Sequence, residues 1–174
     1  MSGNQPIGGF FNQENIPDIV GAQMSPRLPM VPGLTRICLI VERIGLKNPE
    51  KYHRPFLTIS LRDSTSVILS ELQNTPVSEQ IDDCHFVFNS RYEVQRYREK
   101  IPKDSFLFFE LRYRNDRRTK TKCFTFLDMQ ELKEGKMSLK LFKGPVDYHR
   151  KHLSQMTSKA LYLQLNVIFV DKIS

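Results

Sequence analysis

The feature that most constrains this 174-residue chain is a series of short segments, from Thr35 onward, in which apolar and polar residues alternate. Leu57, Ile59 and Leu61 fall on one face of an extended chain, Phe86 and Phe88 on another, and Leu161, Leu163, Leu165 and Val167 on a third. Thr58, Ser60, His85, Gln164 and Asn166 take the opposite faces. Successive side chains of a strand point to opposite sides, so each such segment can cover a core with one side only. Eight segments read this way: Arg36 to Ile44, Pro55 to Leu61, Val67 to Leu69, Cys84 to Phe88, Ser105 to Tyr113, Lys122 to Leu127, Ser138 to Phe142 and Leu161 to Phe169. Their short spacing predicts an all-β fold, an eight-stranded antiparallel β-sandwich. In Phe106-Leu107-Phe108-Phe109 both faces are apolar, which predicts a central strand covered on both sides.

Helical signals are confined to one or two short pieces. Asp128 and Glu131 have the spacing of a capping box, with Leu127 and Leu132 as its hydrophobic staple and Gly135 as a stop. Between Arg91 and Ile101, Val94, Tyr97 and Ile101 fit a helix face while Tyr92 and Val94 continue the preceding strand. The segment is expected to be a loop with a short helix.

Residues 1–33 are different. They hold five of the ten prolines and five of the eight glycines, and only Glu14, Asp18 and Arg27 are charged. Proline removes amide donors and glycine raises the entropy cost of ordering, so the stretch reads as an extended arm ahead of a domain spanning residues 34–174. Its apolar residues, Phe10, Phe11, Ile16, Ile19 and Val20 among them, suit a strip docked on another surface; a mobile tail is the other reading.

A chain of this length can bury a core without disulfides or a metal. Cys38, Cys84 and Cys123 are odd in number, form no C-x-x-C pair and lie in or beside apolar stretches, as buried thiols do. The N-terminus lacks a secretory pattern and no window approaches the roughly 18 apolar residues of a spanning helix, so an intracellular, cytoplasmic chain is expected. No cofactor is expected either. Gly45, Gly135 and Gly144 stand alone, which argues against a phosphate-cradling loop, and no nucleophile elbow is present, so the chain reads as non-enzymatic. His149 and His152 are three apart, but Arg150 and Lys151 between them disfavour a metal cation.

The formal charge is +7, and its surplus is concentrated. Between Arg91 and Lys122 eleven basic residues face five acidic ones, a net of +6. Arg112, Arg114, Arg117, Arg118, Lys120 and Lys122 surround the connection between two predicted strands, an exposed place from which charge reaches an anionic partner. Lys143, Arg150 and Lys151 form a second basic patch. A merely solubilising surface is the plain alternative.

Leu34 to Lys47, followed by Arg54-Pro55-Phe56-Leu57-Thr58-Ile59-Ser60-Leu61, resembles the opening strands of a C-two domain, the calcium- and lipid-binding β-sandwich. Thr75-Pro76-Val77, Phe108-Phe109-Glu110-Leu111, Thr121 to Phe126, Pro145 to Lys151 and Leu161-Tyr162-Leu163-Gln164-Leu165 are similar to the Aida type of that domain. The resemblance implies loops at one end that contact phospholipid, phosphoinositides in particular. It also implies a departure. Calcium needs six to eight oxygen ligands, yet Arg54 stands where the family often has aspartate, only Asn48 and Glu50 precede it, and Asp116 is alone in the other ligand loop.

The leading expectation is therefore a calcium-independent adaptor on acidic phospholipid membranes. The second is a structural component of a large assembly, such as a microtubule-based ciliary complex, with the arm as a strap and acidic tubulin as partner. Nucleic acid is the least expected partner: Tyr92, Tyr97 and Tyr113 lie in the basic segment, but no nucleic-acid module is visible.

Overall fold

In the computed structural model, which describes residues 24–171, the alternating segments form two antiparallel sheets. The strands are β1 (Thr35–Gly45), β2 (His53–Arg62), β3 (Gln73–Asn74), β4 (Gln80–Asp82), β5 (His85–Glu93), β6 (Phe106–Asn115), β7 (Arg118–Asp128), β8 (Gly135–Lys140), β9 (Phe142–Lys143) and β10 (Tyr162–Asp171). The first sheet runs β4-β5-β1-β10-β8 and the second β3-β2-β6-β7-β9. The all-β antiparallel architecture expected from the alternation is the one that forms. Ile37, Leu39 and Val41 of β1 and Leu163, Leu165 and Val167 of β10 meet Leu57, Ile59 and Leu61 of β2 and Leu107, Phe109 and Leu111 of β6 in one core.

Four details differ from the sequence reading. Val67 to Leu69 is not a strand: only Ile68 pairs, with Arg62. The Asp63 carboxylate accepts the amides of Thr65 and Val67, both at 2.9 Å, and this local turn displaces ladder pairing and leaves Val67 exposed. The stretch from Ser138 to Phe142 is split between sheets, since β8 pairs with β10 and β9 with β7. Between Arg91 and Ile101 the strand alternation prevails through Glu93, and the helical tendency is reduced to a 3-10 turn at Arg98–Lys100. Asp128 does cap a turn, accepting the Gln130 amide at 2.9 Å, but it is a single 3-10 turn, and Gly135 opens β8 instead of ending a helix.

Residues 24–33 lie against the sandwich. The Ser25 amide donates to Gln73 Oε1 (2.9 Å), Gln95 Nε2 to the Pro26 carbonyl (2.8 Å), Tyr97 Oη to the Pro29 carbonyl (2.7 Å) and Arg36 Nη1 to the Leu28 carbonyl (3.3 Å). These bonds satisfy carbonyls that a Pro-rich segment cannot pair in a ladder. Phe10, Phe11, Ile16, Ile19 and Val20, the proposed docking residues of the arm, lie outside the described residues. Among the described residues no helix is long and apolar enough to cross a membrane.

Candidate functional site

β6 and β7 stay paired up to Asn115 and Arg118, which leaves Asp116 and Arg117 as a two-residue turn. Asp116 takes φ 54°, a left-handed conformation that aspartate tolerates, and its carbonyl accepts from Arg114 Nε at 3.0 Å. Arg117, Arg118 and Lys120 are exposed and line an open depression with Asn115 and Asp116. His53 pairs with Arg114, so the β1–β2 connection lies alongside the hairpin and brings exposed Lys51 and Arg54 to the same end. The Tyr52 ring meets Tyr113 edge-on at 4.9 Å and carries the Lys122 ammonium 5.4 Å from its centre, which ties the two loops together. Arg54 and Lys51 were missed as members of this cluster because only strand pairing, not spacing in the chain, brings them to it.

The remaining basic candidates lie elsewhere. Arg112 is buried, 3 % exposed, with Nη1 3.7 Å from Glu110 Oε1. Lys143 is exposed on β9, and Arg150 and Lys151 belong to a strap, residues 144–153, that leaves β9 and crosses the outer face of the second sheet. Arg150 stacks on Phe106, at the far end of β6 from Arg114 and about 26 Å away along the strand. The predicted basic set is thus divided between the hairpin end and the strap.

The strap roofs a second, outer aromatic layer. Phe108 and Phe124, opposite in direction to core residues Phe109 and Cys123, are fully buried, and Phe106, Phe126 and Phe142 surround them half-exposed. Their rings form a connected set, with Phe108 and Phe126 centred 5.6 Å apart and Phe126 stacked on Phe142 at 5.9 Å. Tyr148 packs edge-on against Phe108 at 5.1 Å and donates from Oη to Glu110 Oε2 at 2.6 Å. Arg62 lies 3.6 Å above the Tyr148 ring, and Arg150 3.7 Å above Phe106. Such stacking joins an apolar surface to cations without desolvating their outer edges.

Asp147 shapes the strap: its carboxylate accepts the amides of His149 (2.9 Å), Lys151 (2.8 Å) and His152 (2.7 Å). The His152 amide, with those of His149 and Lys151, holds the carboxyl below its ordinary range. Gly144 is required at the strap's departure, since a Cβ there would lie 3.0 Å from the Thr121 carbonyl oxygen. Burial pushes Glu110 above its ordinary value, outweighing the Tyr148 hydrogen bond and the nearby Arg112 and Arg62 charges.

The two buried thiols are not suited to covalent chemistry. Burial pushes the Cys38 thiol up to about 11 and Cys123 to about 12, which leaves both protonated and unreactive near neutral pH. Tyr92 is fully buried, so it is not a base-stacking platform. Among the described residues no group of three or more His, Cys, Asp or Glu side chains gathers as a metal site.

Comparison with known proteins agrees with this architecture. The chain matches the family described as "Axin interactor dorsalisation-associated protein, C-terminal" over residues 24–167. It is 41% identical over 143 residues to the Axin interactor, dorsalization-associated protein of Danio rerio, covering 81% of this chain and 47% of that protein. With the protein of the same name from Homo sapiens it shares 36% identity over 160 residues, 91% of this chain and 52% of the relative. The Mus musculus protein is 37% identical over 149 residues, 84% and 49% of the two chains. The chain therefore spans about half the length of the curated relatives it matches, which are named for an interaction and not for a reaction. It belongs to the Axin interactor dorsalisation-associated protein C-terminal family, the Aida type of C-two domain.

Proposed function

We propose that this chain is a non-catalytic, calcium-independent adaptor whose hairpin end engages acidic phospholipid, phosphoinositides above all, at the cytoplasmic surface of a membrane. The observation that carries the reading is the convergence of exposed Arg117, Arg118 and Lys120 with Lys51 and Arg54 of the neighbouring connection. Each basic side chain near an anionic leaflet contributes about 1 kcal/mol, so a handful gives weak but usable attachment. Arg54 at the position often held by a calcium-ligating aspartate supports attachment by protein charge instead of a bridging cation.

The test is co-sedimentation of the full chain with phosphatidylcholine vesicles, with and without a phosphoinositide, in calcium and in chelator. Binding only to the phosphoinositide vesicles, equal in both buffers and lost in Arg117→Glu/Arg118→Glu/Lys120→Glu, is the expected result. Pelleting that the triple variant leaves unchanged, or none under any condition, overturns the reading. The relatives' names also make a protein partner relevant, and an acidic one such as tubulin in a ciliary assembly would use the same charge; co-sedimentation with microtubules separates the two.

A further inference from the structure

The strapped face of the second sheet is unlike the hairpin end, and its carboxylates explain why. Four carboxylates on it turn their oxygens inward. Asp147 is held by three strap amides and Asp63 by the amides of Thr65 and Val67. Asp128 accepts the Gln130 amide, and Glu110 is buried beneath the Tyr148 hydroxyl. The basic groups of the same face point the other way: Lys143 and Lys151 are exposed, and Arg150 is half-exposed with its guanidinium on Phe106. The surface therefore presents exposed lysines beside half-exposed aromatic rings, while Asp147, Asp63 and Asp128 keep their charge but turn their oxygens to backbone amides.

Apolar surface continues outward from the rings. Leu153 is 38 % exposed at the end of the strap, whose return is fixed by the Lys143 amide donating to the Ser154 carbonyl at 2.8 Å. Val67 and Ile68, 56 % and 38 % exposed, lie on the other side, beyond Arg62 and Tyr148. Aromatic rings and arginines at the centre with lysines at the rim is the composition of a protein-binding patch. The rings lie within the face of a sheet and are roofed by side chains, so they do not protrude as membrane-inserting tips do.

We infer that the outer face of the second sheet, from Phe106 through Phe126 to Phe142 and rimmed by Lys143, Arg150 and Lys151, is a docking surface for an acidic, aromatic-bearing segment of another protein. The occupant follows from complementarity: carboxylates pair with the exposed Lys143 and Lys151 of the rim, and an aromatic side chain stacks on rings already polarised by arginine. The site lies on the face of the sheet and not at the hairpin turn, with Lys143, paired with Cys123, as its member nearest to that end.

The probes are three synthetic peptides of equal length: one alternating glutamate and phenylalanine, one with lysine replacing every glutamate, and one with serine replacing every phenylalanine. Binding to the full chain is read by fluorescence anisotropy and mapped by amide chemical shifts. The Glu/Phe peptide is expected to bind, with shifts confined to β6, β7, β9 and the strap, and the other two to bind at least about tenfold more weakly. Lys143→Glu/Lys151→Glu, which changes two exposed side chains and leaves the strap's internal bonds in place, should weaken the Glu/Phe peptide about tenfold. Binding that survives this variant, shifts centred on the hairpin, or equal affinity for the Glu/Ser peptide would overturn the inference. So would a face that binds only phosphatidylserine vesicles and no peptide.

Discussion

Tyr148→Phe isolates the bond that fastens the strap. The substitution removes one oxygen and keeps the ring, so the edge-on contact with Phe108 and the Arg62 stacking survive while Glu110 Oε2 loses its 2.6 Å donor. Glu110 is fully buried, and its other oxygen lies 3.7 Å from Arg112 Nη1, too far for a good hydrogen bond. A hydrogen bond to a charged group contributes about 1.5–3 kcal/mol, so the variant should lose about 2 kcal/mol where Glu110 is ionised. For a domain of this size that is a fall in Tm of about 6 °C. Urea unfolding followed by far-ultraviolet circular dichroism measures it, the chain having no tryptophan to report by fluorescence.

The pH dependence makes the test specific. Burial, opposed by the Tyr148 hydrogen bond and the Arg112 and Arg62 charges, raises the folded pKa of Glu110 above its ordinary 4.5. Between 4.5 and the folded value the native state keeps a proton that the unfolded chain has released, so stability falls as pH rises through that window. The Tyr148 hydrogen bond favours the ionised form, and removing it moves the folded pKa further up. The penalty of Tyr148→Phe should therefore be largest where the carboxyl is ionised in both proteins and shrink as pH falls through their folded pKa values, below which it is neutral in both. In a Glu110→Gln background the same change should cost less and show no such dependence. A loss independent of pH, or one below about 0.5 kcal/mol where Glu110 is ionised, would refute the assignment of this bond as the strap's fastening.

Two other outcomes follow from the burial of the thiols and the design of the strap. Cys84 is exposed whereas Cys38 and Cys123 are buried, so a disulfide-exchange reagent should titrate one thiol rapidly in the native chain and all three in urea, and a second rapid thiol in the native chain would show that the strands holding Cys38 or Cys123 open. Asp147→Ala should speed hydrogen exchange at the His149, Lys151 and His152 amides while leaving β6 protected. Since the folded pKa of Asp147 lies below its ordinary 3.8, the wild-type protection is present above that value and lost as pH falls through the folded one, and the variant should show no such acid step.

Much of this architecture was legible because period-two alternation is a direct consequence of strand geometry. Leu57-Ile59-Leu61 and Leu163-Leu165-Val167 each fell on the core face, and Phe106-Leu107-Phe108-Phe109 did mark a strand covered on both sides. Polar pattern was less informative than it looked: Thr58 and Ser60 oppose the core yet are almost fully buried, Thr58 through a 2.7 Å bond to Asn74 Oδ1. Sequence counts charges without counting their partners. It grouped Arg112 with Arg114 although β6 turns the first onto buried Glu110, and it passed over Lys51 and Arg54 because the register of β2 against β6 alone brings them to the hairpin. The Asp147 brace was equally hidden, since nothing in Asp147-Tyr148-His149-Arg150-Lys151-His152 separates a carboxylate bound to backbone from one in water.

The division of the basic residues changes what the charge can accomplish. One contiguous patch of all nine predicted residues would serve one anionic surface, and occupancy by a membrane would exclude any other partner. Here a single strand, β6, carries Arg114 at the hairpin end and Phe106 under the strap at the other, about 26 Å apart. That separation is more than two Debye lengths at physiological salt, so Arg150 is largely unseen by the hairpin turn, whereas Lys143, paired with Cys123 and next to Lys122, lies between the two surfaces. A leaflet held at the hairpin end leaves the strapped face turned along the side of the sandwich, where a protein segment can reach it. The proposed adaptor role requires two surfaces held at a fixed spacing, and the core beneath the hairpin end and the strapped face, built from strands of both sheets, fixes that spacing.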